Sequence, residues 1–377
     1  MNFLRRLPLY RLLLLAAVVL AVGVSATALA LALGSGPKPP AKPLAQAVHD
    51  ALEAPSVQGV SANIKLTNNL LEGANLASGS SQGAGLASSP LLTGGSGRLW
   101  ISKDGRVRIE LQAEKGDTQL IYDGHTISLY DATTNTLYRY TPAADEGSSA
   151  HGASSTETGP SQVPSGFTPD VPSVAKIEEA IAHAEKNATV SGATPTDVAG
   201  QPAYTVRVAP KESGSLLGGA ELSFDAGNGA PLRAAIYSST SQSPVIELAA
   251  TEVSFASVPA SVFEFTPPAN AKIEDLSTPS GTETHKASDE AGEKPQLTTH
   301  GKGPSTVAVL EKKLPAGSKQ GSSAALEGLP KVNINGASAT ELRTELGTLL
   351  SFERSGVRYV VAGAVGPATI EALARGL

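Results

Sequence analysis

From residue 60 onward the chain alternates apolar and polar side chains. In Val60-Ser61-Ala62-Asn63-Ile64-Lys65-Leu66-Thr67 every second position is apolar, and Arg106-Val107-Arg108-Ile109-Glu110-Leu111-Gln112 repeats the pattern. A period of two gives a strand one dry face and one wet face. Asp123-Gly124 separates Thr118–Tyr122 from His125–Asp131, which predicts a hairpin, and Leu137–Thr141 continues the meander. Further strands are expected at Ala203–Val208, Ala220–Asp225, Pro231–Tyr237, Val245–Phe255 and Phe263–Thr266, with Gly227-Asn228-Gly229 as one of the turns. Roughly ten short strands at such spacing predict a large antiparallel sheet.

Helical periodicity is confined to short stretches. Pro43–Ala54 places Leu44, Val48, Ala51 and Leu52 on one side. Val174–Asn187 aligns Val174, Ile177, Ile181 and Ala184 behind Ser173 as N-cap. A one-sided sheet needs a cover, so these helices are expected to lid it. Near the C-terminus, Ser338-Ala339-Thr340-Glu341 spells a capping box for a short helix ended by Gly347. Thr348–Arg354 and Val357–Gly363 then flank Ser355-Gly356 as a hairpin, and Gly366-Pro367 opens a last helix. The expectation is an α-β-β-α module of about 70 residues, small enough to need docking.

The longest apolar run is of another kind. Leu12 to Leu33 follows Arg5, Arg6 and Arg11. About 22 apolar residues suffice to span a bilayer as a helix, and arginines on the N-terminal side send the remainder across. Ala28-Leu29-Ala30 and Ala30-Leu31-Ala32 also read as signal cleavage sites, so the segment is either a single-pass anchor in the cell membrane or a secretory signal. Both place the working part outside the cytoplasm. Three stretches rich in small or polar residues interrupt the pattern: 73–97 and 142–172 read as flexible insertions, and 277–304 as a linker. The division is therefore 1–35 for export, 43–276 for the main domain, 277–304 for the linker and 305–377 for the C-terminal module.

Composition narrows the chemistry. The 377 residues include no cysteine, which removes disulfides, thiolate metal sites and cysteine nucleophiles together. The formal charge of −6 carries no basic block beyond the N-terminus, which argues against nucleic acid as a partner. Gly79-Ser80-Ser81-Gln82-Gly83 has the spelling of a nucleophile elbow but lies in low-complexity sequence without a strand before it or a helix after it. His49, His125, His151, His183, His285 and His300 form no metal-binding spacing, and His125 reads as an exposed hairpin residue. Asn187-Ala188-Thr189 spells a glycosylation sequon. The reading is of a non-enzyme with no cofactor and no metal.

The order of motifs resembles a known family. An export segment, a helix and Val57-Gln58-Gly59-Val60-Ser61-Ala62 precede Gly97-Arg98-Leu99-Trp100 and Arg106-Val107-Arg108-Ile109-Glu110. Then come Leu120-Ile121-Tyr122-Asp123-Gly124, Leu129-Tyr130-Asp131 and, at the end, Phe263-Glu264-Phe265-Thr266-Pro267-Pro268. Over roughly residues 44–276 this is similar to the LolA-like superfamily of bacterial lipoprotein carriers, with the actinobacterial lipid-binding lipoproteins and RseB regulators that share its fold. The resemblance implies an α+β fold: a curved antiparallel half-barrel lidded by short helices, around an apolar cavity for lipid or lipoprotein acyl chains. Ile109, Leu111, Leu120, Tyr122, Leu129, Phe224, Ile236, Leu248 and Phe255 are the cavity-lining residues it implies, against the plain alternative of ordinary core. Trp100 alternates with Leu99 and Ile101 and is a candidate surface contact with membrane, cargo or lid, or packing against a loop. An anchored carrier or presenter of lipid is the first expectation. An RseB-like cell-envelope sensor contacting a regulatory protein is the second.

Overall fold

The computed structural model describes residues 36–72, 90–114, 116–141, 171–276, 296–314 and 329–377. The chain enters through helix α1 (Leu44–Glu53), which leads into β1 (Gly59–Asn68), then a single turn α2 (Pro90–Thr93) and β2 (Gly95–Ser102). A meander follows: β3 (Val107–Ala113), β4 (Gly116–Tyr122), β5 (Ile127–Asp131) and β6 (Thr136–Tyr140). Helix α3 (Val174–Ala184) precedes β7 (Ala188–Val190), β8 (Thr194–Val198), β9 (Gln201–Pro210), β10 (Leu217–Asp225), β11 (Pro231–Ser238), β12 (Pro244–Ser254) and β13 (Lys272–Asp275).

These strands form one large, open, curved sheet of 13 strands in the order β13-β6-β5-β4-β3-β2-β1-β12-β11-β10-β9-β7, with β8 also on β9. Every pairing is antiparallel except that of β13 with β6. Antiparallel neighbours twist relative to one another, and bulges at Asn63/Ile64, Ile236/Tyr237 and Ser223/Phe224 add bend near the middle of the sheet.

The expected hairpins form. Asp123 Oδ1 accepts the backbone N–H groups of His125 and Thr126 at 2.8 Å each, closing the turn between β4 and β5 and leaving His125 exposed. Asp225 Oδ1 does the same for Gly227 and Asn228. Gly229 ends that turn at φ +71°, where a Cβ would lie 2.5 Å from the carbonyl oxygen of Ala51, so the turn sits directly against α1. Both longer helices appear where the periodicity puts them, and Ser173 Oγ accepts from Lys176 N as the N-cap of α3.

A second sheet has six strands: β14 (Gln296–His300), β15 (Val307–Lys313), β16 (Lys331–Ile334), β17 (Ala337–Thr344), β18 (Gly347–Arg354) and β19 (Val357–Gly363), in the order β14-β15-β19-β18-β17-β16. Helix α4 (Pro367–Arg375) covers one face, packing Ile370 and Ala374 over Val309, Ile334, Leu350 and Val361.

This corrects the α-β-β-α expectation. Ser338–Glu341 lies inside β17, and Gly347 opens β18 instead of ending a helix. The capping signature is local. Ala339 and Glu341 are buried as alternating residues between two pairing strands, and the tertiary ladder overrides it. Residues 296–304 likewise belong to this sheet and its turns, not to a linker.

Two further expectations change. Within 73–97, residues 90–93 are helical and β2 begins at Gly95, because Gly97 lets β3 approach closely: a Cβ there would fall 1.7 Å from the carbonyl oxygen of Glu110. Phe263–Thr266 is not a strand but continues a 3-10 turn (Ala260–Phe263) and crosses one face of the sheet. The export segment 1–35, Gly79–Gly83, His151, His285, most of both insertions and linker residues 277–295 lie outside the described residues. No helix among the described residues is long and apolar enough to cross a membrane.

Candidate functional site: the open half of an apolar sheet face

Residues opposite one another on neighbouring strands share a face. The register therefore writes out the faces directly. One row runs Val60, Ile101, Val107, Tyr122, Ile127, Tyr140, and the next runs Ala62, Leu99, Ile109, Leu120, Leu129, Tyr138. A third runs Ile64, Gly97, Leu111, Thr118, Asp131, Thr136. The first two rows, twelve positions across six strands, hold no charged residue.

The cover over this face is uneven. On β9 and β10 it is closed by α1 and α3, which pack Val48, Leu52 and Ile177 onto Tyr204, Leu222 and Phe224. Across β1 and β2 the rows are still buried, at Val60, Ala62 and Ile101. From Val107, Ile109, Leu120 and Tyr122 through Ile127, Leu129 and Tyr138 they are only half-buried. At the far edge Tyr140 is 44% exposed and neighbouring Leu276 58%. The apolar face is thus solid under the helices and opens progressively toward β6 and β13.

Five of the nine residues implied as cavity-lining, Ile109, Leu111, Leu120, Tyr122 and Leu129, lie together on this open half. Leu111 is the most enclosed, beside Ile64 and Ala62. Leu248 faces Leu66 across β12 and β1 and joins the same cluster. Ile236 sits on β11 opposite Ile246, half-buried. Phe255 lies one residue past the end of β12. Phe224 is placed differently: it is 1% exposed and belongs to the filled core beneath the helices. Helix α2 packs against β1, β3 and β4, the last of which carries Thr118. The Thr118 hydroxyl there is buried without a hydrogen-bond partner among the described residues.

The opposite face is polar, and Trp100 is on it, half-buried between Ser61 and Arg108. Over β3–β6 it is covered by the returning segment after β12. Arg108 Nη1 donates to the Val262 carbonyl at 2.8 Å, and the Tyr130 and Phe265 rings meet at 5.5 Å. This small second core of Ile121, Tyr130, Leu137 and Phe263 is legible only through pairing, since alternation alone does not say which face a loop will cross.

On β9–β12 the polar face carries an ionic network. Arg207 Nη1 donates to Glu221 Oε1 at 2.9 Å, Arg233 Nη1 to Glu221 Oε2 at 2.7 Å, and Arg233 Nε to Glu247 Oε1 at 2.5 Å. The Tyr237 hydroxyl donates to Glu221 Oε2 at 2.7 Å, with the Arg207 guanidinium over its ring. Burial raises the proton affinity of Glu221, but hydrogen bonds from Arg233, Tyr237 and Arg207 outweigh it and hold the carboxyl below its ordinary range. Burial, above all, pushes the Tyr237 hydroxyl up.

Among the described residues the second sheet is hydrogen-bonded to the first near Ser215 and Leu216 and near Leu70. Leu216 N donates to the Ala364 carbonyl at 2.7 Å, and the buried Ser215 hydroxyl donates to the same oxygen at 2.9 Å. Glu345 N donates to the Leu70 carbonyl at 3.3 Å.

Comparison with known proteins gives distant likenesses. A family model described as "Predicted periplasmic protein (DUF2092)" matches residues 86–151. No curated protein matches. The chain is similar to MucB crystallised in complex with MucA(peri), at 15% identity over 88% of this chain and 96% of that one, with a TM-score of 0.41. The Pseudomonas aeruginosa MucA/MucB complex gives 15% identity over the same shares, with a TM-score of 0.39. A LolA superfamily protein from Nitrosomonas europaea gives 9% identity over 85% and 91%, with a TM-score of 0.19. One of these neighbours carries the name of the LolA superfamily. At such scores no residue role is transferred from them.

Proposed function

We propose that the protein is an extracytoplasmic binding protein that holds acyl chains of a lipid or lipoprotein against the open half of its apolar sheet face. The observation that carries this reading is the uncharged double row from Val107 to Tyr140, left half-covered where the same face elsewhere is packed solid. A monomeric protein rarely leaves a continuous apolar surface of this kind without a use for it. Removing acyl carbons from water contributes about 0.8 kcal/mol per CH₂, so affinity needs no catalytic group. The export run at residues 12–33 and the description of the matching family favour the periplasmic side of the membrane, whether the run stays as an anchor or is cleaved. An anchored copy would extract or present lipid at one membrane. The experiment is solvent extraction of the purified protein with mass spectrometry, alongside titration with a fluorescent fatty-acyl probe. Lipid-free protein that also ignores the probe defeats the reading.

A second reading, an RseB-like envelope sensor working through protein contacts, draws on the second sheet. It is fixed to the ends of β1 and β10, strands on either side of β12 and β11, where the sheet passes from its open half to its covered half. A protein that binds acyl chains at one site and a regulatory protein at another satisfies both readings. Co-purification of an envelope protein that is lost when residues 296–377 are replaced separates the second from the first.

A further inference from the structure

Sheets with open edges guard them, because unpaired backbone N–H and C=O groups template pairing with another chain. Three of the outer strands here carry such guards. β8 contains Pro195 and Asp197 and is flanked by a bridge between Lys42 and Ala193. β13 is charged at Lys272, Glu274 and Asp275. β16 begins with Lys331 directly after Pro330.

β14 follows Pro295 as β16 follows Pro330, but carries no guard within its own length. Its five residues, Gln296-Leu297-Thr298-Thr299-His300, include no proline and no Lys, Arg, Asp or Glu, and it pairs only with β15 among the described residues. Leu297 is 64% exposed, and its cross-strand partner Leu310 is the next exposed apolar residue on that face. Leu310 lies opposite Val360, and Ala308, Ala362, Leu349 and Leu342 continue the apolar surface on the side away from α4.

We propose that β14 is a pairing edge for a second copy of this chain. The strand is self-complementary in the antiparallel sense. A two-fold axis through Thr298 sets Thr298 against its own copy, Leu297 against Thr299 and Gln296 against His300, with no like charges opposed. Thr–Thr pairs are favourable across strands. The axis also keeps both apolar surfaces on one side, fusing two six-stranded sheets into one of twelve. The arrangement is isologous and closes on itself. One five-residue strand pair is a small contact against the ~1,200 Å² of stable complexes. The dimer is therefore reversible and concentration-dependent.

The absence of cysteine gives a clean test. In the full chain, solubilised in detergent, Thr298→Cys places two thiols across the axis at a Cα separation of about 4.5–5.5 Å, within disulfide reach. Mild oxidation is expected to convert it to a covalent dimer in a yield that rises with protein concentration. Lys331→Cys, exposed on the opposite edge, is expected to stay monomeric. Sedimentation of the cysteine-free chain is expected to show a monomer–dimer equilibrium that Leu297→Lys shifts at least tenfold toward monomer. Equal cross-linking at 298 and 331, or dimerisation indifferent to Leu297→Lys, overturns the proposal. So does a monomer at every concentration, which would leave β14 to another segment or another protein.

Discussion

The rings of Tyr204 and Phe224 meet at a centroid distance of 5.9 Å and a tilt of 45°, both nearly inaccessible beneath α1 and α3. Their contact marks where the apolar face is filled. A cavity that continued through this point would separate the two rings from the helices above them. Phe224→Ala is expected to cost about 3–5 kcal/mol of stability, because the neighbours collapse only partly into the space left. Chemical denaturation measures it, and a cost under about 1 kcal/mol would mean the site is not packed as described.

Ile109 and Leu120, also cross-strand partners, behave oppositely because they are half-covered. Leu120→Asp is expected to weaken binding of a fatty-acyl probe by tenfold or more while the thermal transition stays cooperative. Tenfold corresponds to about 1.4 kcal/mol, less than the loss from setting a carboxylate against an acyl chain. Unchanged probe affinity in this variant removes the open half as the binding surface.

Thr118 offers a prediction of opposite sign. Its hydroxyl is buried with no hydrogen-bond partner among the described residues. An unsatisfied buried hydroxyl carries a desolvation cost of about 1–3 kcal/mol, and valine keeps nearly the same shape. Thr118→Val is expected to stabilise the protein by about 1 kcal/mol, read as a higher denaturation midpoint at unchanged slope. A destabilised variant would reveal a partner for the hydroxyl.

The Glu221 network predicts the acid limb of the stability curve. The carboxyl is held below its ordinary value, against an unfolded reference near 4.5. A depressed folded-state pKa means the stabilisation is present above the unfolded value and is lost as pH falls through the folded one. Stability is therefore expected to decline below about pH 4.5, and Glu221→Gln is expected to flatten that decline. At neutral pH the same variant is expected to cost about 2 kcal/mol, as charge-assisted hydrogen bonds to Arg207, Arg233 and Tyr237 weaken. Urea titrations at several pH values would check both, and an acid limb as steep in the variant as in the parent would assign the decline to other carboxylates.

Much of the main sheet could be read along the chain. Alternation identified β1, β3 and the β4–β5 hairpin, Asp123-Gly124 and Gly227-Asn228-Gly229 announced their turns, and the 3.6-residue period found α1 and α3. These signals are local, fixed by side chains a few residues apart. They also set the parity of Ile109 with Leu111 and of Leu120 with Tyr122, and the strand register then put these and Leu129 on one face. Three things were decided elsewhere. Whether an apolar residue is core or open surface depends on what lies above it, so Phe224 and Leu120 look alike in sequence and differ only because helices 40 to 180 residues away in the chain cover one of them. Whether Ser338–Glu341 is helix or strand depends on partners at 331–334 and 347–354, whose ladder outweighs a capping signal. And the route of Phe263 and Phe265 across the polar face was set by the hydrophobic gap left at Ile121, Tyr130 and Leu137, which exists only once the strands have paired.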